Sequence, residues 1–154
     1  MALDDDIAVF EQVPLLAHLG EEALRILAIG AESHRIQHGA VLFYAGDLAD
    51  GGFVVQQGSF LLEPDTPRQG ESVTVGPGAL LGELALLTDT VHTVTATAVS
   101  AASVIRIPRS LFLKMLEGYP AAALQMRDAM AQRIDAFTRD MTALKPAFDP
   151  DRNA

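Results

Sequence analysis

Between Ser33 and Pro108 the chain is broken by nine glycines, at positions 39, 46, 51, 52, 58, 70, 76, 78 and 82. The intervals hold short runs rich in β-branched and aromatic residues: Val41-Leu42-Phe43-Tyr44, Phe53-Val54-Val55, Phe60-Leu61-Leu62, Ser72-Val73-Thr74-Val75, Val91 to Val99 and Val104-Ile105-Arg106-Ile107. Such side chains suit a pleated, half-buried surface, and glycine supplies the backbone freedom a tight reversal needs. Many short strands with a turn signal about every 8–12 residues predict a sandwich or jelly roll. Pro64 and Pro67 place the hairpin near Glu63–Gly70 at a sheet edge, because proline cannot donate to a ladder.

The flanks have a different period. From Leu3 to about Ala31 apolar residues recur at helical spacing, with Ile7, Phe10 and Val13 before Pro14 and Ala23, Leu24, Ile26 and Leu27 after a second start at Gly20-Glu21-Glu22. Asp4, Asp5 and Asp6 suit the positive end of a first helix. After Pro108, Ser110 to Leu116 makes a short helix ended by Gly118 and Pro120. A longer helix, from about Ala121 to Leu144, carries the stripe Met126, Met130, Ile134, Phe137, Met141 and Leu144. The chain therefore divides as one domain over 1–154: helical lead-in 3–31, jelly roll 33–108, C-terminal helices 109–144 and a tail 145–154.

Composition narrows the function classes. Acidic residues outnumber basic ones by 20 to 11, giving a net charge of −9, the wrong sign for a general nucleic-acid or anionic-membrane binder. With no cysteine, thiol catalysis and cysteine-ligated metals are excluded. The acidic start Met1 to Asp6 is the reverse of a secretory n-region, and no apolar run is long enough to span a bilayer. The expected setting is the cytoplasm.

Reactive groups do not converge on an enzyme. Gly76, Gly78 and Gly82 miss the dinucleotide fingerprint by one residue, and there is no Walker lysine or nucleophile elbow. His34 and His38 share a face if one strand holds both, the one hint of a metal-dependent, cupin-type barrel, but no third ligand has a diagnostic spacing. Gly82-Glu83-Leu84-Ala85-Leu86-Leu87 is more informative. A glycine between β-runs followed by a short helical turn presents unpaired N–H groups, a ready site for a phosphate. Glu83 is out of place beside a phosphate unless it accepts a hydrogen bond from a neighbouring hydroxyl, such as that of a ribose.

This segment resembles the phosphate-binding cassette of the cyclic nucleotide-binding domain family, the type found in the catabolite activator protein and the regulatory subunits of cyclic-AMP-dependent kinase. The resemblance runs from about Val13 to Met141 and takes in Pro14-Leu15-Leu16, the run Gly39 to Asp47 and the Gln57-Gly58-Ser59 turn. It implies that Gly82, Leu84 and Ala85 supply backbone donors, that Glu83 takes a ribose hydroxyl, and that cAMP or cGMP is the ligand. Thr93 then offers a hydroxyl to the phosphate, while Phe137 and Thr138 reach the base.

The family's phosphate-binding arginine falls on His92. Neither Arg106 nor Arg109, the nearest arginines, sits at that position. An arginine–phosphate contact is bidentate and worth ~1.5–3 kcal/mol. Histidine is mostly neutral above a pKa of about 6.5, so cyclic nucleotide affinity is expected to be weak and to improve with acidity.

About ten residues follow the long helix, without a recognition helix or a basic arm. The expected role is a stand-alone, non-enzymatic regulatory module that binds a small anionic ligand and signals through an effector protein or its own dimer, with no direct DNA or membrane contact. The family dimerises through the long helix, which implies an interface at Met130, Ile134, Phe137 and Met141. A ligand-free, dimerising interaction domain is the alternative, and the metal-dependent barrel a distant third.

Overall fold

The computed structural model describes residues 2–66, 68 and 70–128. Helix α1, Ala2–Glu11, opens with Asp4 and Asp5 in its first turn and buries Ile7 and Phe10. Successive tight turns follow, closed by hydrogen bonds from Val13 to Phe10, Leu16 to Val13 and Leu19 to Leu16. They bury Val13, Leu15, Leu16 and Leu19 before α2, Glu21–Gly30, lays Ala23, Leu24, Leu27 and Ala28 against the same layer.

Among the described residues ten strands follow, all paired antiparallel. They are β1 (Glu32–Ile36), β2 (Val41–Phe43), β3 (Leu48–Ala49), β4 (Gly51–Gln57), β5 (Phe60–Pro64), β6 (Val73–Val75), β7 (Leu80–Leu81), β8 (Thr90–Val91), β9 (Val94–Ala98) and β10 (Ala102–Pro108). One sheet has the order β1-β10-β4-β7, a second β2-β9-β5-β6, and a small ribbon joins β3 to β8. A 3-10 turn, Glu83–Leu86, interrupts the strands, and α3, Arg109–Gly118, follows β10. This is the expected antiparallel jelly roll with flanking helices.

Strand alternation divides the core in two. Val55 of β4 and its partner Val104 of β10 join Phe43, Phe60, Leu81, Ala96 and Ala98 in the cluster between the sheets. The next pair, Val54 and Ile105, turns the other way and packs with Ile107, Leu86, Phe112 and the helices. Strands β4 and β10 are therefore buried on both faces, which is why they read as nearly continuous apolar runs. A further helix starts at 120 and is described as far as 128, where Ala122 and Met126 complete the helical cluster. Among the described residues no helix is long and apolar enough to cross a membrane.

Several sequence expectations change. The run Val91 to Val99 is two strands, because the backbone of His92 leaves the sheet to pair with the Gly46–Asp47 turn. His34 and His38 are not on one strand: β1 ends at Ile36, and His38 lies in the turn before Gly39. The β5–β6 hairpin does lie at a sheet edge as expected, with β6 the edge strand and Pro64 the last residue of β5. Met130, Ile134, Phe137, Thr138, Met141 and Leu144 lie outside the described residues.

Candidate ligand pocket

The chain enters the 3-10 turn through Gly82, at φ 78 and ψ 38, a left-handed conformation that L side chains resist. Space enforces the same choice. A Cβ on Gly82 would sit 3.1 Å from the Gly51 carbonyl oxygen and 3.3 Å from Cε1 of His92. The turn is closed by Ala85 N–H donating to the Gly82 carbonyl, at 3.1 Å, so the Ala85 amide is already engaged. Leu87 and Thr88 both donate to the Leu84 carbonyl. Ala85 and Leu86 are buried under the turn, while Leu84 stands 59% exposed above it.

In front of the turn lies a cavity of about 350 Å³, within the range of small-molecule sites. Gly82, Glu83, Leu84, Ala85, His92 and Thr93 all line it, so six of the residues singled out from sequence come together. Phe43, Leu62, Leu80, Leu81, Val91 and Val94 form the apolar walls. Phe43 and Leu62 come from strands distant in sequence, the other four flank the cassette or His92, and none of the six was singled out. Among the described residues no lysine or arginine lines the cavity.

His92 is the one buried polar or charged residue among those described, 8% exposed. Its ring lies parallel to Phe43, with centroids 3.6 Å apart and planes 9° from coplanar. The backbone is pinned on both sides: His92 N–H donates to the Asp47 carbonyl at 2.9 Å, and Gly46 N–H donates to the His92 carbonyl at 2.7 Å. Burial pushes the His92 pKa below its ordinary 6.5, against an opposing pull from Asp47 and Asp50. The imidazole is therefore neutral at pH 7, and its charging moves to more acidic pH than the sequence reading supposed.

Arg109 and Arg106 are both held by other partners. Arg109, first residue of α3, donates from one guanidinium nitrogen to the carbonyls of Ala49, Ala85 and Thr88 at 3.1, 3.2 and 2.9 Å, and from another to the Asp89 carboxylate. Arg106 is held between Glu32 at 2.7 Å and Asp50 at 2.9 Å. The clamp by Arg109 was invisible in sequence, since backbone carbonyls leave no residue signature. Among the described residues no group of three or more histidine, aspartate or glutamate side chains is placed to hold a metal.

Residues 33–119 match the model of the family described as "Cyclic nucleotide-binding domain". The chain belongs to that family. Among solved structures, this cyclic nucleotide-binding domain is similar to the N-terminal domain of a transcriptional regulator from Streptomyces coelicolor, at 28% identity and a TM-score of 0.77, covering 86% of this chain and 94% of that one. It is also similar to a cyclic nucleotide-binding-like protein from Brucella abortus, at 40% identity and a TM-score of 0.64, covering 74% and 99%. A curated relative is the lysophospholipase nte1 of Neurospora crassa, 30% identical over 108 residues. That match covers 69% of this chain but only 7% of the relative.

Proposed function

We propose that this cyclic nucleotide-binding domain is a non-enzymatic regulatory module that senses a small molecule in the cavity bounded by Gly82–Ala85 and His92. The observation that carries the reading is the left-handed Gly82 opening a 3-10 turn onto a cavity of about 350 Å³. Its relatives support a regulatory role. A related domain is the N-terminal part of a transcriptional regulator, and another stretch like it occupies 7% of a lysophospholipase. One kind of module is thus found beside unlike outputs, as a sensor would be. In this chain the signal passes to an effector protein or to a second copy, the latter through Met130, Ile134, Phe137 and Met141.

Cyclic nucleotides are weak ligands in this reading. Without the family arginine, the loss of ~2 kcal/mol lowers affinity roughly thirtyfold. Thermal denaturation with cAMP, cGMP and a panel of uncharged metabolites tests the proposal, because a ligand that binds only the folded chain raises Tm. A second reading, a ligand-free interaction domain, draws support from the His92–Phe43 stack, which occupies wall space the family gives to arginine. It predicts that no compound shifts Tm.

A further inference from the structure

The ligand-sensing reading leaves the chemistry of the ligand open, and the cavity narrows it. We infer that the pocket takes an uncharged, predominantly apolar small molecule carrying one or two hydrogen-bonding groups, in place of a cyclic phosphate. This inference rests on the sensor reading and concerns the same cavity.

Charge gives the first argument. Among the described residues no lysine or arginine lines the wall, and Arg106 and Arg109 are committed elsewhere. Arg109 spends its guanidinium on three carbonyls and Asp89, and Arg106 lies between Glu32 and Asp50. Glu83 lies on the wall itself, and Asp47 and Asp50 act electrostatically on His92. A phosphate entering here would give up water beside carboxylates, with a neutral imidazole as its neighbour. Burying a charge without a partner is among the costliest events in a protein.

Surface chemistry gives the second. The interior wall is formed by Phe43, Leu62, Leu81 and Val94, and its apolar character continues outward onto the lip. Leu84 is 59% exposed there and Val91 46%, while Leu48, paired with Val91 across the β3–β8 ribbon, is 87% exposed. Exposed Leu84 and Val91, which line the cavity, gain by covering an apolar body. The polar groups that remain, His92 with Thr90 and Thr93, are enough to orient a ligand but not to neutralise one.

The test uses the full 154-residue chain and N-phenyl-1-naphthylamine, an uncharged fluorescent probe, titrated alone and in competition with cAMP. Two variants locate the binding: Leu84→Asp at the lip, and Ile29→Asp on α2, where Ile29 is 66% exposed and does not line the cavity. The expected result is a saturable fluorescence rise that cAMP does not displace, weakened roughly tenfold or more by Leu84→Asp and unchanged by Ile29→Asp. Probe binding that Leu84→Asp leaves intact would overturn the inference, since the probe would then sit elsewhere. If cAMP displaces the probe and raises Tm on its own, the inference fails while the sensor reading stands. If neither cAMP nor the probe binds and the metabolite panel leaves Tm unmoved, both fail.

Discussion

The imidazole of His92 lies flat on the phenyl ring of Phe43, 3.6 Å between centroids, at the place where the cassette meets the barrel wall. A planar guanidinium can occupy the same face, with cation–π attraction from Phe43 and its fork toward the turn. His92→Arg is therefore expected to raise cAMP affinity at least tenfold, from a restored contact of ~1.5–3 kcal/mol. Calorimetry on both proteins checks this. An unchanged affinity in a folded variant would show a pocket closed to phosphate for reasons other than charge.

The lowered pKa of His92 has a definite sign in stability. Burial, opposed by Asp47 and Asp50, favours the neutral ring in the folded chain, whereas the unfolded chain takes up its proton near pH 6.5. Below that pH the unfolded state holds more protons, so stability falls with acidity; above it, this residue contributes no slope. Urea unfolding at pH 5.5 and 7.5 should show a larger loss for wild type than for His92→Gln. The same shift moves any acid gain in cyclic phosphate binding to lower pH than an unperturbed imidazole would give, which calorimetry across the acidic range checks.

Arg109→Ala is expected to cost about 2–3 kcal/mol, because it releases the Ala49, Ala85 and Thr88 carbonyls from a charged donor. Arg109 does not itself line the cavity but holds the carbonyls of Ala49 and Ala85, which do, so its effect on a ligand must act through the shape of the turn. Hydrogen exchange separates this from a general loss of stability. The amides of residues 83–88 should lose protection in Arg109→Lys, which keeps the charge but not the fork, before the helical layer does.

Gly82→Ala should destabilise by about 1–2 kcal/mol from the left-handed backbone alone. The approach to the Gly51 carbonyl and to His92 adds further cost. Denaturant unfolding measures the sum. A wild-type midpoint with wild-type ligand response would mean the turn can be entered in another conformation.

Assembly has its own test. In the proposed dimer, Ile134→Glu with Phe137→Glu would face like charges across a two-fold axis. Light scattering at tens of micromolar should find a dimer for wild type and a folded monomer for the double variant. A monomeric wild type would remove the interface from the proposal.

The helices were legible because their apolar spacing is undiluted: Ile7 and Phe10, then Ala23, Leu24 and Leu27, are buried as the period requires. β1 escaped notice because Glu32 to Arg35 are exposed, so no alternation marks it as a strand. β3 and β7 are two residues each, too short for any pattern. The division of Val91 to Val99 was hidden for a different reason, as the Gly46–Asp47 turn that captures His92 is a tertiary partner. In the site, Gly82 to Ala85 and His92 to Thr93 fall within one short stretch and could be read together. Phe43 and Leu62 reach the same cavity only through strand register, both opposite Ala96 of β9.

The sorting of Val54 and Val55 to opposite sides of β4 has a broader consequence. One strand serves as a party wall: the barrel's interior lies on one side, and the helices are laid on the other. Positions 43, 62, 81 and 94 can be refurnished for a guest of another shape without relaying the seam beneath α1, α2 and α3. A single helical platform can then report on whichever molecule the room behind it is fitted to receive.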